Sequence, residues 1–518
     1  MLPIRGLPRV MPGRLGAYRQ FRRPFSSSPT PSSTKKTNTP YKYLAVAGVV
    51  GAPCLWWFSK SRHEPTEKRD SVPSLNSTST NELVLPPGPS NEQVTRILNE
   101  QAYSFNVTNV PGVSRYDGAQ FAANSPCEDR FMHGSFPSPW NDGQSAPWMA
   151  WGVFDGHLGW QTADLLTQKL LPFVRHHLSL IPASQRTSTE AIHRAIHDAF
   201  TSFDKQLVSG AYEALTSGVS SVESTSETNS SAPNASTSAS NKTTLAENAL
   251  LQSKVKALSL AAAGSCALLT LYDPQTSTLH VACTGDSRAI LGQQDPSTKK
   301  WDVVPLSTDQ DLTHNQSEID RLNAQHPDEP NMIKNGRVLG MMVSRAFGDS
   351  QWKWSLEKQE ELMKKYHGLP PFQKEAEYIS PPYLIADPVI TSTRLGKGKK
   401  AILVMASDGL WYWTKNNGQV IDAVTAWVDG QGQGEGKNKD EKNYQTGFDF
   451  SEFRKRKVDY RMDEKRMAVR DGNAAVHLVR NSLGGDHDEL LAGRVAYEPP
   501  FARRVRDDVT VQVVFFQS

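Results

Sequence analysis

Residues 265–291 read SCALLTLYDPQTSTLHVACTGDSRAIL, and they carry the clearest signal of the fold. Residues 265–272 and 278–291 are rich in apolar and β-branched side chains, and the five residues between them, DPQTS, are typical of a turn. Two strands joined by so short a turn form a hairpin, and hairpins build antiparallel sheets. The stretch therefore predicts part of an antiparallel sheet.

Helical patterns stand on either side of this hairpin. Residues 162–178 and 189–215 repeat their apolar side chains at helical spacing, and residues 318–324 indicate a shorter helix. Strands that pair locally, together with amphipathic helices, are typical of an antiparallel sandwich that the helices cover. The fold class that we predict is α+β.

Acidic residues stand where apolar strands end or begin. The apolar run Trp148–Phe154 leads directly into Asp155, and the run Ala401–Ala406 reaches Asp408 after one serine. Strand ends of a sandwich meet at its rim, so these carboxylates are expected to lie near one another. The acids in such positions are Glu128, Asp129, Asp155, Asp408 and Asp507.

Grouped carboxylates point to bound cations, because several like charges within a few ångströms repel one another strongly. Oxygen donors without a cysteine or histidine cluster favour Mg²⁺ or Mn²⁺. Two such ions about 3.5–4 Å apart can share a hydroxide and hold a phosphoryl group for in-line attack. Taken singly, each acid is explained as well by turn chemistry, since Asp-Gly is first of all a turn dipeptide.

Seven motifs extend this interpretation to a family. In chain order they are EDR, VFDGHLG, GSCALLTLYD, TGDSRAIL, VSRAFGD, MASDGLW and RDDVTV. Over residues 90–516 the chain thereby resembles the protein phosphatase 2C family of metal-dependent serine/threonine phosphatases. Segments such as NEQVTRILNEQAYSF, YDGAQFAANSPCEDR and PPYLIADP make it most similar to the mitochondrial pyruvate dehydrogenase phosphatases. The resemblance implies a four-layer αββα sandwich of two antiparallel sheets, flanked by helices, around a dinuclear metal site.

The resemblance also implies the metal ligands. Asp155 is expected to bridge two Mg²⁺ or Mn²⁺ ions. The backbone carbonyl of Gly156 and the side chain of Glu128 would complete one ion, and Asp408 and Asp507 would complete the other.

Further roles follow from the same resemblance. Asp129 is expected to orient a metal-bound water, and His157 to act as the general acid for the leaving oxygen, with an ordinary turn histidine as the alternative. Asp286 matches a position linked to a weaker third ion, and turn chemistry explains it equally well. Asp349 and Asp508 are expected to support the fold.

One departure from the family concerns the substrate phosphate. Many members carry an arginine four residues before the position of Glu128, where it binds phosphate, and this chain has Asn124. An amide donates a hydrogen bond but supplies neither charge nor a bidentate fork. The phosphate-binding residues that we consider are Asn124 and Arg130, with Arg345 as a further substitute.

The beginning of the chain has a different composition from the rest. Residues 1–62 hold eleven Lys and Arg and no acidic residue. The Arg- and Ser-rich residues 1–42 are typical of a mitochondrial presequence, and a disordered basic tail is the alternative. The uncharged run YLAVAGVVGAPCLWWF at residues 43–58 predicts a transmembrane anchor, although a full span usually needs about 20 residues. A packed helix or part of the leader are the alternatives.

The remaining boundaries follow composition. Residues 59–89 are polar and indicate a linker, and residues 90–518 form the predicted phosphatase domain. Within this domain, residues 216–241 and 430–443 are poor in large apolar side chains and predict disordered insertions.

The charge balance narrows the partners. Residues 63–518 carry 46 basic and 54 acidic side chains, so they offer no basic surface for nucleic acid or for a metal-dependent nuclease. The resemblance implies a phosphoprotein as the partner, and within the subfamily the E1 alpha subunit of pyruvate dehydrogenase. The expected location is mitochondrial and associated with the inner membrane, with matrix or intermembrane space left open. The competing class is a scaffold or regulator that keeps the phosphatase fold without activity.

Overall fold

The structure is a computed structural model that describes residues 89–140, 145–216, 236–366, 378–431 and 460–517. The predicted presequence (1–42), the predicted anchor (43–58) and all but the last residue of the predicted linker (59–89) lie outside these ranges. Across the ranges that are described, no helix has both the length and the apolar character needed to cross a membrane.

The strands within the described residues are mostly short, and all but the smallest belong to two sheets. In chain order they are β1 (Tyr103–Asn106), β2 (Val113–Phe121), β3 (Arg130–Phe136), β4 (Trp148–Phe154), β5 (Gly156–His157), β6 (Gly264–Ser265), β7 (Ala267–Asp273), β8 (Thr278–Thr284), β9 (Arg288–Gln294), β10 (Trp301–Pro305), β11 (Ile333–Lys334), β12 (Arg337–Val338), β13 (Phe347–Gly348), β14 (Val389–Arg394), β15 (Ala401–Ala406) and β16 (Val509–Phe516).

The helices range from 4 to 28 residues in length. In chain order they are α1 (Asn91–Asn99), α2 (Gln161–Ser179), α3 (Thr189–Thr216), α4 (Ser236–Ala262), α5 (Gln316–Gln325), α6 (Ser350–Lys353), α7 (Leu356–Tyr366), α8 (Asp408–Trp411), α9 (Asn417–Gln431), α10 (Ala474–Leu483) and α11 (Asp488–Ala496).

The first helix begins with a capping motif formed by its own side chains. Ser90 is its N-cap, and the Ser90 Oγ accepts a hydrogen bond from the backbone N–H of Gln93 at 3.3 Å. The Gln93 Oε1 accepts the N–H of Ser90 at 2.8 Å, which completes a capping box. The expected start of the folded domain near residue 90 thus coincides with a well-capped helix.

Two antiparallel sheets form the centre of the molecule. One has six strands in the order β1-β2-β16-β15-β9-β10, and the other has five in the order β14-β8-β7-β4-β3. A small sheet, β13-β6-β5, continues from the end of β4, and β11 pairs with β12. Every pair of neighbouring strands in the two large sheets is antiparallel.

Alternating side chains divide the strands between three layers of core. On β15, Leu403 packs between the two sheets, whereas Ile402 and Val404 pack against α9 and α10. On β4, Trp151 lies between the sheets, and Ala150 faces α2 and α3. A strand buried on both faces has apolar residues throughout. The predicted α+β sandwich with four layers, αββα, is thereby confirmed.

The predicted strand at residues 278–291 is wrong as a single strand. The structure divides it into β8 and β9, which belong to different sheets. The chain crosses between them at Gly285, whose φ of +106° favours glycine, and a Cβ atom there would overlap the side chain of Cys266. Both halves are apolar, so their pattern gives no sign of the crossing.

The predicted insertions coincide in part with described residues. Of residues 216–241, Thr216 ends α3, residues 217–235 lie outside the described ranges, and α4 begins at Ser236. Of residues 430–443, the first two end α9 and the others lie outside the described ranges.

Candidate active site

Acidic residues reach the same end of both sheets. Asp155 follows β4, and Asp129 precedes β3, which pairs with β4 in antiparallel fashion. Asp408 follows β15, and Asp507 precedes β16, the antiparallel neighbour of β15. Because the end of one antiparallel strand lies beside the start of its neighbour, the topology brings each pair together.

The carboxylate of Asp129 joins the two sheets. Its Oδ2 accepts a hydrogen bond from the Oγ of Ser407 at 2.8 Å, and that Oγ accepts the backbone N–H of Thr510 at 3.0 Å. Asp129 is only 1% exposed. Burial and the negative charge of Asp508 raise the pKa of Asp129 to about 8, although hydrogen bonds from Ser407 and Thr510 oppose this shift. Asp129 is therefore held at the junction between the sheets.

Asp155 and Asp408 influence each other's pKa. Burial raises the pKa of Asp155 well above its usual range, and the charges of Asp129, Asp408 and Asp286 raise it further. Burial likewise raises the pKa of Asp408. Each pKa unit corresponds to about 1.4 kcal/mol. The acids thus destabilise one another's charged forms, and a bound cation would relieve this repulsion.

Glu128 lies on the loop between β2 and β3, and Asp508 holds that loop. Buried Asp508 accepts hydrogen bonds from the backbone N–H groups of Ala123, of Asn124 at 2.9 Å and of Glu128 at 2.9 Å. Burial and the charge of Asp508 raise the pKa of Glu128. The carboxylate of Asp508 thus holds the loop by accepting hydrogen bonds from the backbone of the loop.

Asp507 forms an ion pair with an arginine one turn earlier in the chain. Its Oδ1 contacts the guanidinium of Arg503 and accepts the backbone N–H of Asp508 at 2.7 Å. Arg503 belongs to a single 3₁₀ turn, Ala502–Arg504, and its side chain is 44% exposed. Burial raises the pKa of Asp408, and the positive charge of Arg503 is the largest opposing effect. The charge of Arg503 therefore lowers the pKa of Asp408 in addition to pairing with Asp507.

His157, on β5, points its ring at a buried carboxylate. Its Nε2 lies 2.7 Å from the Oδ2 of Asp349. Burial lowers the pKa of His157, but the charge of Asp349 and the hydrogen bond to it outweigh this effect, and the pKa is raised. Gly264 makes room for the pair, because a Cβ atom there would overlap both side chains. The protonated imidazolium, the form that a general acid needs, is thereby favoured.

Asp286 lies at the crossing between β8 and β9. Its Oδ1 accepts a hydrogen bond from the Sγ of Cys266 at 3.2 Å. Burial and the charge of Asp408 raise the pKa of Asp286 to about 7. The structure therefore places Asp286 on the same side of the molecule as Asp408.

The donor set suits Mg²⁺ or Mn²⁺. Among the described side chains, no three His, Cys, Asp or Glu residues are arranged as a metal-holding group as they stand. Burial raises the pKa values of Asp129, Asp155 and Asp286, and the charges of neighbouring carboxylates raise each of them further. Carboxylate oxygens are the ligands that hard divalent ions prefer. The residues present therefore fit such ions.

Known proteins with similar sequences show which family the chain belongs to. Residues 199–444 match the family described as Protein phosphatase 2C. A protein phosphatase 2C homolog from Schizosaccharomyces pombe is 36% identical over 438 residues, which cover 83% of this chain and 86% of that protein. The chain belongs to the protein phosphatase 2C family. It is a protein serine/threonine phosphatase, and the predicted family is confirmed.

Other relatives of this phosphatase carry a more specific name. The mitochondrial [pyruvate dehydrogenase [acetyl-transferring]]-phosphatase 1 of Saccharomyces cerevisiae is 31% identical over 480 residues, covering 87% of this chain and 76% of that protein. The human protein of the same name is 28% identical and covers 82% of this chain.

The solved serine-threonine phosphatase 2C from Toxoplasma gondii aligns with 80% of this chain and 99% of its own, with a TM-score of 0.39 and 15% identity.

In the structure, all three candidates for phosphate binding donate hydrogen bonds to oxygens of the protein. The Nδ2 of Asn124 donates to Glu128 and to Asp508, at 3.0 Å each. The Nη1 of Arg130 donates to the backbone carbonyls of Cys127, at 2.5 Å, and of Asp129, at 2.8 Å. These donors already bind protein oxygens.

Arg345 is engaged more fully. Its Nη2 and Nε bind the two oxygens of Glu318 at 2.6 and 3.0 Å, and its Nη1 donates to the carbonyl of Asp387 at 2.8 Å. A bidentate pair of this kind leaves little of the guanidinium for a ligand. The structure therefore gives Arg345 a partner within the fold.

Two residues of this phosphatase's site were not predicted from the sequence. In the sequence, Ser407 only separates the strand from Asp408, whereas in the structure its hydroxyl donates to Asp129. Arg503 was not considered, although a basic residue four positions before Asp507 could have signalled an ion pair across one turn.

Proposed function

We propose that this phosphatase hydrolyses phosphoserine and phosphothreonine on a mitochondrial protein with the help of two Mg²⁺ or Mn²⁺ ions. The ligands would be Glu128, Asp155, Asp408, Asp507 and the carbonyl of Gly156. The observation that carries the proposal is the meeting of carboxylates from separate strands, which repel one another, at one end of the sandwich.

The chain's own residues divide the remaining work. When bound, two such ions supply positive charge for the phosphoryl oxygens and an activated water, and Asp286 would contribute to a weaker third site. Asp129 orients that water through its carboxylate, which Ser407 fixes. His157 donates a proton to the leaving serine or threonine oxygen, in the role for which Asp349 favours its protonated form.

Release of phosphate from a phosphothreonine peptide tests this proposal. The full chain is assayed with Mn²⁺ or Mg²⁺ beside Asp155→Asn, Asp408→Asn and, as a matched control, Asp302→Asn on the exposed strand β10. The first two changes should reduce the rate by at least about 100-fold, and the control should leave it unchanged. Equal rates in all four proteins would contradict the metal assignment. No metal-dependent activity in the unaltered chain would support the alternative of a scaffold or regulator.

The substrate that we favour is the E1 alpha subunit of pyruvate dehydrogenase. Support comes from the relatives that are named as phosphatases of pyruvate dehydrogenase. The test compares the phosphorylation of E1 alpha in cells with and without the gene for this chain. Equal phosphorylation in both would contradict this choice of substrate while leaving the phosphatase activity untouched.

We further propose that residues 1–42 direct the chain to mitochondria and that residues 43–58 anchor it at the inner membrane. The mitochondrial names of the relatives support the first part, and the uncharged run supports the second. Protease protection of a tag on the C-terminus, in mitochondria and in mitoplasts, distinguishes matrix from intermembrane space. Extraction of the chain by alkaline carbonate would contradict the anchor.

A further inference from the structure

Among the described residues, the candidates for binding the substrate phosphate either lack a charge or already bind protein groups. A phosphate monoester carries negative charge, and guanidinium groups bind it through paired hydrogen bonds. Asn124 has no charge, and Arg130 and Arg345 donate to oxygens of the protein. Arg288 is also engaged, since its guanidinium binds Asp309 and lies 5.0 Å from the centre of the Trp411 ring.

Arg503 differs from these arginines in its surroundings. Its side chain is 44% exposed, and its described contact is an ion pair with Asp507, one of the proposed metal ligands. Arg130, by comparison, is 23% exposed and stacks on Trp160, with 5.3 Å to the ring centre. The guanidinium of Arg503 contacts the Oδ1 of Asp507. A cation bound at Asp507 would weaken this ion pair, because it neutralises the charge that attracts the guanidinium, and Arg503 could then turn toward a ligand beside the site.

The turn that carries Arg503 is fixed on both sides. The N–H of Val505 donates to the carbonyl of Ala502 at 2.9 Å, within the 3₁₀ turn. Immediately after it, the buried guanidinium of Arg506 donates to the carbonyls of Tyr497 and Ala122, at 2.9 Å each. The backbone of Arg503 is thus held while its side chain extends to the surface. An arginine on a rigid turn loses little backbone freedom when it binds.

Contacts place Arg503 close to Asn124. Arg503 pairs with Asp507, and the next residue, Asp508, accepts the backbone N–H of Asn124 at 2.9 Å and its Nδ2 at 3.0 Å. Two consecutive acidic residues thus connect Arg503 to the residue that stands where many family members carry the phosphate-binding arginine.

We propose that Arg503 binds the phosphate group of the substrate, in the role for which Asn124 lacks a charge. The ligand is a phosphate monoester or free phosphate, gripped by the fork of the guanidinium. This inference rests on the proposed function, because it requires that Asp507 be occupied by a metal ion. Arg503 is a substrate-binding residue in this view, and it acts before the proton transfer by His157.

Three variants of the full chain test the inference, namely Arg503→Ala, Arg503→Lys and Arg504→Ala. Arg504 is the matched control, since it is the exposed neighbour of Arg503 and packs over the ring of Phe501 at 4.9 Å from its centre. The measurements are KM and kcat for a phosphothreonine peptide, and the Mn²⁺ concentration that gives half-maximal activity. Calorimetric titration of inorganic phosphate into the Mn²⁺-loaded protein adds a readout that needs no turnover.

Arg503→Ala should raise both KM and the dissociation constant of phosphate by about 10- to 100-fold, the loss expected for a charged hydrogen-bonding partner. Arg503→Lys should fall between this variant and the unaltered chain, because lysine keeps the charge but not the fork. Arg504→Ala should stay within about twofold of the unaltered chain. All variants should melt within a few degrees of the unaltered protein, because the altered side chains are exposed.

Two results would overturn the inference. The first is equal affinity for phosphate in the unaltered chain and in Arg503→Ala, which includes the case in which neither binds. The second is a raised Mn²⁺ requirement in Arg503→Ala with KM and phosphate affinity unchanged, which would show that Arg503 only positions Asp507. Phosphate binding that depends on Arg503 in a chain that releases no phosphate would contradict the proposed function and leave this inference standing.

Discussion

The Nε2 of His157 lies 2.7 Å from the Oδ2 of Asp349, although the two residues are 192 positions apart in sequence. Asp349 is completely buried and takes a left-handed backbone conformation, with φ of 49°. Its backbone N–H donates to the carbonyl of Ala263 at 3.1 Å, next to Gly264. The ring of His157 is therefore oriented by the tertiary fold and not by its own turn.

Replacing Asp349 by asparagine should reduce kcat by about 100-fold, because a general acid contributes this much only in the right orientation and protonation state. Asp349 raises the pKa of His157. A general acid loses activity as the pH rises through its pKa, so the variant should lose activity at lower pH than the unaltered chain. The pH profile of kcat checks this. An unshifted alkaline limb would show that Asp349 does not tune His157.

Replacing Gly264 by alanine should reduce kcat in a similar way, since the added methyl group would overlap His157 and Asp349 and force the pair apart. Gly210 on α3 offers the matched control, because a Cβ atom there meets no other atom within 4 Å. The control should keep full activity and gain up to about 1 kcal/mol in the free energy of unfolding. Comparable activity in both variants would contradict the proposed crowding.

Replacing Asp508 by asparagine should weaken metal activation by about 10- to 100-fold, the usual effect of altering a residue that orients a ligand. The carboxylate accepts backbone N–H groups of Asn124 and Glu128, and an amide would turn a donor toward at least one of them. The measurement is the Mn²⁺ concentration for half-maximal activity. Asp302→Asn serves as the control, and equal requirements in the two variants would argue against this support.

Replacing Glu318 by glutamine should lower the free energy of unfolding at pH 7 by about 3 kcal/mol, with activity measured separately. Burial raises the pKa of Glu318, but hydrogen bonds from Arg345 and Ser344 and the charges of Arg345 and Arg321 outweigh it and lower the pKa to about 2. A lowered pKa stabilises the fold above the unfolded value near 4.5.

The stabilisation by Glu318 is lost as the pH falls from about 5 toward 2. The difference between the unaltered chain and the glutamine variant should therefore shrink over that range. Urea unfolding at several pH values measures it, with Glu100→Gln on the exposed end of α1 as the control. A difference that stays constant with pH would rule out the ion pair as its source.

Two of the strands beside the acids were predictable because each is a continuous apolar run. Trp148–Phe154 and Ala401–Ala406 are strands with the predicted bounds, and neither lies at the edge of its sheet. A central strand is buried on both faces, so its apolar composition alone predicts it. The helices at 162–178, 189–215 and 318–324 were likewise confirmed, each slightly longer than predicted.

The partners of the acids were not predictable, because they lie far away in the chain. Ser407 and Asp129 are separated by 278 positions, and a lone serine beside an aspartate has many explanations. The engagement of Arg345 with Glu318 depends on helix α5 packing near residue 344, which no periodic pattern encodes. Only the folded chain shows which arginines are already occupied.

Strand β16 lies between β2 and β15 in the six-stranded sheet, about 390 residues after β2 in the chain. During synthesis, β2 and β15 therefore emerge without the strand that joins them. The loop of Glu128 also lacks its hydrogen bond to Asp508 until that residue is synthesised with β16. A chain released or cleaved before residue 507 lacks both a proposed metal ligand and the support for another, so that metal-dependent activity itself would report that synthesis had passed this strand.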